Sequence, residues 1–313
     1  MTAFLQEESW TIGKIPTTVN PTLEELWYFF SEHKLPSEKG RETETSRWNR
    51  HIQPILGNME ARDISTLTLL KYSKVLEKKK LSPQTIKHVL GLIRRIMRHA
   101  SKWDIYTGKI PYFPMPKFDN GAQRFLTRDE AFALLLELRA RSEIWHDFAT
   151  LALMTGMRAS ELFKLTHQYL DLKNKYFNIF DAKGFQSRLV PMNPVAEETI
   201  LKYLDTPRGQ PFFAIGHPKG YHQVSSVYRK AVRACGLNSG ITDRRQKVTF
   251  HTLRHTAASW MVQNGTDLLV VSRILGHSSL KVTMRYAHLA PTQSVAAVAS
   301  LASFRDSHPI FIS

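Results

Sequence analysis

Residues 144–162 read IWHDFATLALMTGMRASEL, and the fold class turns on this stretch. The run from Ile144 to Met154 is apolar and predicts a helix, with Gly156 as its stop because glycine adopts the left-handed backbone that ends helices. Arg158 then falls at the opening of a further helix. Just upstream, LTRDEAFALLLEL (126–138) carries Thr127 and Glu130 at the spacing of a capping box, which marks another helix start. Downstream, KYFNIF (175–180) and SRLVPM (187–192) are short β-rich runs flanking DAKGFQ, whose length and glycine fit a hairpin connection. The rest of this half is mostly helical in pattern. The expected class is therefore mainly α with a small antiparallel β-sheet.

Before this half lies GKIPYFPMPKFDNGAQ (108–123), with three prolines, two glycines and no sustained period, which reads as a linker over 108–124. It divides the chain into a helical first domain, 21–107, and a second domain, 125–290, with an extension at 1–20 and a tail at 291–313. In the first domain TLEELWYFF (22–30) opens with a capping box, Thr22 and Glu25, and repeats Leu23, Leu26, Trp27 and Phe30 on one stripe. SPQTIKHVLGLIRRIMRHASKW (82–103) starts with Ser82 as cap and Pro83 in the first turn, and places Ile86, Leu90, Ile93 and Met97 toward a core. Between Lys71 and Lys102 there are ten Lys or Arg residues against one acid, Glu77. Lys87, Arg94 and Arg98 on that helix are candidate phosphate contacts; a solvated basic face carries the same pattern.

Composition agrees with a polyanionic partner. The 313 residues are 42% hydrophobic, enough for a sizeable core, and 43 Lys and Arg against 27 acids give a formal charge of +16. The single cysteine, Cys235, cannot close an intrachain disulfide, no apolar run reaches the length of a membrane span, and MTAFLQEESWTIGK lacks the features of a secretory signal. These features predict a cytoplasmic protein without membrane association. The thirteen histidines are scattered, and no Cys/His cluster of metal-binding type is present.

Residues suited to chemistry concentrate in the second half. Arg158 lies in TGMRASEL, and Arg254 lies in HTLRH three residues after His251, so on a helix those two share a face. Planar, always-charged guanidinium groups can clamp a phosphodiester whose non-bridging oxygens gain charge in reaction. Lys183 sits at the expected hairpin tip, where an ammonium can donate a proton to a leaving oxygen. His277 lies in LGH, where Gly276 is placed to end a helix, and Tyr286 follows in MRYAH. Each of these residues taken singly has an ordinary packing, capping or surface explanation.

Their order has a more specific meaning. Arg in TGxRxxEL, Lys in a hairpin, HxLRH, LGH and then Tyr closely resembles the catalytic domain of the tyrosine recombinase (phage integrase) family, over about Phe125 to Leu289. Pro21 to Lys102 resembles that family's helical core-binding domain. The resemblance implies a two-domain DNA clamp that cleaves and rejoins DNA strands site-specifically. Tyr286 would be the nucleophile forming a 3′-phosphotyrosine bond, with Arg158 and Arg254 holding the scissile phosphate. Lys183 would protonate the 5′-hydroxyl leaving group, His251 would assist proton transfer with the nucleophile, and His277 would add a hydrogen bond to the phosphate. Glu161 matches the acidic position of the first motif, as a brace rather than a participant. Strand energy kept in the phosphotyrosine linkage would make religation independent of ATP, metal or other cofactor. The implied partners are double-stranded DNA, a homotetramer on synapsed DNA, and accessory DNA-bending proteins.

Some positions depart from the family pattern. In AKGFQSRLVP, Ala182 stands in place of a common glycine and Gln186 in place of a frequent second basic residue. The segment before Pro21 is short for a separate arm-site-binding domain, which favours a simpler core-site recombinase. The tail PTQSVAAVASLASF is apolar with helical spacing at Val295, Val298, Leu301 and Ala302, and docks either on its own domain or on a neighbouring subunit. Type IB topoisomerases share the Arg, Lys, Arg, His and Tyr set. A metal-dependent nuclease would instead need clustered carboxylates.

Overall fold

The computed structural model describes residues 20–34, 38–118, 124–180, 187–213, 224 and 226–290. Lys183, Ala182 and Gln186, the segment before Asn20 and the apolar tail from Pro291 lie outside the described residues. The chain forms two compact units, which divide between Asn120 and Gly121. Among the described residues no helix is long and apolar enough to cross a membrane.

The first unit is helical. Helix α1 (Leu23–Lys34) begins at the expected capping box: the Thr22 amide donates to Glu25 Oε2 at 2.8 Å and the Glu25 amide to Thr22 Oγ1 at 3.2 Å. Leu23, Leu26, Trp27 and Phe30 are all buried, and Trp27 stacks on Trp48 with ring centroids 4.9 Å apart. Helix α2 (Glu38–Arg47) runs into a wider π turn at Trp48–Ile52 and the single turn α3 (Gln53–Leu56). Helix α4 (Thr66–Lys78) is capped by Ser65, and α5 (Pro83–Lys102) by Ser82, whose hydroxyl accepts from the Thr85 amide at 3.2 Å. The long α5 buries Ile86, Val89, Leu90, Leu92, Ile93, Ile96, Met97 and Ala100, a stripe wide enough to make it the central element of this core.

The proline-rich stretch expected as a linker differs from that expectation in its first part. Phe113 is buried in the first core, and Ile110 and Met115 pack against it. Thr66 Oγ1 donates to the Tyr112 carbonyl at 3.2 Å. Three apolar side chains thus tie 110–115 to the unit by burial, which the absence of a period conceals because prolines impose an extended path without repeat.

The second unit starts with α6 (Arg128–Arg141), whose Thr127–Glu130 capping box is complete, and α7 (Glu143–Thr155), which ends at Gly156. The short α8 (Ala159–Leu162) follows, then strands β1 (Leu170–Asp171), β2 (Tyr176–Ile179) and β3 (Arg188–Pro191). They form one antiparallel sheet in sequence order, with Phe177 opposite Val190 and Ile179 opposite Arg188. Phe177, Ile179 and Val190 face the core while Leu189 is exposed, the alternation of a one-sided sheet. Helices α9 (Pro194–Leu201), α10 (Ser226–Ala234), α11 (Phe250–Gln263), α12 (Leu268–Leu275) and α13 (Leu280–Thr283) complete the unit, followed by a 3-10 turn at Met284–Leu289. Helix α11 is buried over most of its length, and packs on α7 through Phe148 and Phe250, 5.2 Å between ring centroids. Thr256 on α11 accepts the Leu126 amide at 2.9 Å, and Trp260 donates to the Leu126 carbonyl, so the entry to this unit is fixed on the same helix. The described residues are mainly helical with one small antiparallel sheet.

Candidate active site

Four separated segments converge on one point: the α7–α8 turn, the first turns of α11, the end of α12 and the 3-10 turn after α13. The convergence depends on two glycines. Gly156 ends α7 at φ +67°, and a Cβ there would lie 2.5 Å from Leu275 Cδ2. Gly276 ends α12 at φ +64°, and a Cβ there would lie 2.7 Å from Arg188 Cδ. Both conformation and proximity disfavour a side chain at either position.

Their turns seat the two predicted arginines. Arg254, only 3% exposed, donates from Nη1 to the Gly156 carbonyl at 2.7 Å and from Nη2 to the Leu275 carbonyl at 2.6 Å. Arg158 donates from Nη2 to the Gly276 carbonyl at 3.0 Å. Helix α12 therefore presents two successive carbonyls, each holding one guanidinium. Glu161 fixes the Arg158 side from the other direction. Its carboxylate accepts from Arg158 Nη1 at 2.9 Å, from the Arg158 amide at 2.8 Å, and from Arg188 in two parallel bonds of 2.9 and 2.7 Å. Burial works to raise the Glu161 pKa, but the hydrogen bonds and charge of Arg188, with the bonds from Arg158, override it and hold the carboxyl below its ordinary value.

The histidines surround this pair. His251 lies at the exposed start of α11, and its ring meets that of His255 edge-on, with centroids 4.7 Å apart. His277 follows Gly276 directly, and its Nδ1 is 2.7 Å from the buried hydroxyl of Thr283. Tyr286, 6% exposed, hydrogen-bonds through its hydroxyl to Nδ1 of His255.

Electrostatics follow from the arrangement. Burial, together with the neighbouring Arg158 and Arg188, lowers Arg254 to about 9, so it remains cationic at neutral pH. Although one face of His251 is exposed, desolvation on its packed side and then Arg254, Arg158 and Arg285 keep it below its usual pKa. The same combination of burial with Arg254, Arg158, Arg285 and His251 brings His277 down to about 4. Burial, with His251, Arg285, Arg254 and His277, takes His255 down to about 3. These imidazoles are thus neutral in a field set by guanidinium groups, a place prepared for an anion. Burial raises the Tyr286 pKa against the pull of Arg285 and Arg254, so the phenol keeps its proton in the resting site.

Sequence reasoning named Arg158, His251, Arg254, His277 and Tyr286, and the fold brings all five into this region. Lys183 is outside the described residues. His255 and Arg188 were given no role. His255 had a legible signal, since it stands four residues after His251 and so on the same side of the helix. Arg188 had none, because its pairing with Glu161 spans 27 residues and depends on the strand register.

In the first unit, Lys87 and Arg98 are exposed on α5 and Arg94 is partly so. Lys87 Nζ lies 5.5 Å from the centre of the Phe118 ring, a cation–π distance. Arg95 is already engaged, 2.8 Å from Glu44. Lys87, Arg94 and Arg98 are spaced by seven and four residues, and so share one side of the helix.

The chain belongs to the phage integrase family, whose family model matches residues 124–293, and it is a tyrosine recombinase, an enzyme of site-specific DNA recombination. It is 30% identical over 226 residues to tyrosine recombinase XerD of Staphylococcus aureus, across 68% of this chain and 74% of the relative. XerD of Staphylococcus epidermidis is 28% identical over 225 residues, with the same shares covered. Among solved structures, the fold is similar to the Tn1549 transposon integrase in complex with transposon right end DNA, at TM-score 0.71 and 18% identity over 90% of this chain and 100% of that one. It is also similar to a lambda integrase dimer bound to a COC′ core site, at TM-score 0.65 and 16% identity over 85% and 77%.

Proposed function

We propose that this recombinase binds double-stranded DNA and exchanges strands by transesterification through Tyr286. The phenolic oxygen attacks the scissile phosphorus, a 3′-phosphotyrosine bond forms, and the 5′ oxygen leaves; religation reverses the step with a partner strand, and no ATP, metal or other cofactor is consumed. Arg158 and Arg254 hold the non-bridging oxygens and stabilise their growing charge. His277 adds a hydrogen bond to the phosphate, His251 assists proton transfer at the mouth of the site, and Lys183 protonates the leaving oxygen. Glu161 braces Arg158. The first unit adds phosphate contacts through Lys87, Arg94 and Arg98, and exchange between two duplexes engages four protomers.

The observation that carries this reading is the gathering of Tyr286 with two carbonyl-anchored guanidiniums from segments 128 residues apart, Arg158 to Tyr286. The XerD relatives are tyrosine recombinases and the similar Tn1549 and lambda integrases are seen bound to DNA, which supports it. The test is a suicide substrate, nicked so that cleavage is irreversible, in excess EDTA. Wild type is expected to form a covalent protein–DNA adduct, and Tyr286→Phe to bind with unchanged affinity and form none. An adduct from Tyr286→Phe, or a wild-type adduct that requires magnesium, refutes the assignment.

A further inference from the structure

The nucleophile needs somewhere to send its proton, and the residue in contact with it is not the one the family resemblance names. Tyr286 is buried, and His251 has no hydrogen bond to it among the described residues. His255 does: its Nδ1 bonds the phenolic oxygen, and its ring centroid lies 6.0 Å from that of Tyr286. Its ring also meets that of His251 edge-on, so His255 links the two. Resting on the reading of Tyr286 as nucleophile, we infer that His255 is a further catalytic residue, accepting the phenolic proton at Nδ1 during attack.

The direction of this hydrogen bond follows from acidity. A phenol that keeps its proton and an imidazole that is neutral form O–H···N, with the Nε2–H tautomer on the ring. The Tyr286 Oη–P bond forms, the P–O5′ bond breaks, the phenolic proton moves to His255 Nδ1, and the 5′ oxygen takes its proton from the leaving-group acid. In religation the proton returns from His255 to Tyr286.

The surroundings make this acceptor conditional. The groups facing His255 are His251 and Arg254 on its own helix, Arg285 on the 3-10 turn and His277 after α12. Burial, and then His251 and the two guanidiniums, suppress imidazolium formation in the free protein. A phosphodiester entering the site brings negative charge beside the guanidiniums and offsets their field, so His255 gains proton affinity when substrate is present. Tyr286 is thereby kept as a phenol until there is a phosphate to attack, which limits futile reaction with other electrophiles.

The experiment uses the full chain and two substrates, an ordinary suicide duplex and one with sulfur replacing the scissile 5′ bridging oxygen. A thiolate leaves without protonation, so the sulfur substrate relieves defects in leaving-group chemistry and not in nucleophile activation. His255→Phe keeps a ring and removes the acceptor; His255→Asn places an oxygen where Nδ1 was but holds no proton. Both are expected to bind a single site within about twofold of wild type and to cleave about 100-fold more slowly on both substrates, the scale of lost general-base assistance. Wild-type cleavage by His255→Asn would reduce His255 to positioning and overturn the inference, as would rescue of either variant by sulfur. Should the variants not fold, long-range 1H–15N spectra of the wild-type imidazoles decide: an unprotonated His255 Nδ1 that shifts in Tyr286→Phe supports the inference, and a protonated one overturns it. An adduct from Tyr286→Phe would instead refute the underlying reading, so the two failures are distinct.

Discussion

Replacing Glu161 by Gln removes one proton-accepting oxygen and one charge at a junction of two guanidiniums. In the native site four N–H groups point at the carboxylate, two from Arg188, one from the Arg158 guanidinium and one from the Arg158 amide. A glutamine amide turns an NH2 toward at least one of them, which sets donor against donor. The Glu161 and Arg188 side chains are only 15% and 11% exposed, so water compensates little. Breaking one side of a buried ion pair costs about 3–5 kcal/mol, and the residual exposure favours the lower end, ~3 kcal/mol. Urea denaturation at pH 7.5 should show this loss. Arg188→Met made in the Glu161→Gln background should then be milder than in wild type, with a coupling energy of about 2 kcal/mol, because the stranded charge leaves with its partner. A Glu161→Gln protein within ~0.5 kcal/mol of wild type, where typical surface changes fall, would refute the account of Glu161 as the brace.

Gly156→Ala should destabilise the second unit by about 2–5 kcal/mol, combining ~1–2 for the left-handed backbone with ~1–3 for the contact with buried Leu275; an unchanged urea midpoint would contradict it. His255 titrates below its unfolded value of 6.5, so its contribution to stability is complete above that pH and declines as pH falls toward its folded value of about 3. By pH 5.5 the loss from this group should be about 1.4 kcal/mol, and His255→Asn should flatten that part of the urea-midpoint profile; a parallel profile in the variant would exclude His255 as its source. Changing Lys87, Arg94 and Arg98 together to Ala should reduce the salt dependence of DNA binding by up to about three units of slope, roughly one per phosphate contact, while a slope equal to wild type would show a merely solvated face.

Much of the fold was legible because its signals are local. The capping boxes at Thr22 and Thr127, the Ser82–Pro83 start of α5 and the glycine stops at 156 and 276 each act within one turn of chain. Helix α2 was not legible, because EKGRETETSR has no apolar stripe and is tied in through ion pairs such as Glu44 with Arg95. The packing of Phe113 was hidden for the opposite reason: one apolar side chain between prolines buries without a period. At the site, the residues in ordered motifs were legible, while Arg188 depends on a strand register and the His255–Tyr286 bond on how a 3-10 turn meets α11. Those are tertiary facts, and neighbouring letters do not encode them.

The two guanidiniums hang from adjacent carbonyls, Leu275 and Gly276. A displacement of the end of α12 therefore reaches both guanidiniums together, while the Gly156 carbonyl and the Glu161 carboxylate hold each of them from a second side. Motion at the end of α12 is in this respect common-mode for the pair, a shared input rather than a relative one. A design with the two arginines hung from independent loops would instead convert the same fluctuation into a varying gap.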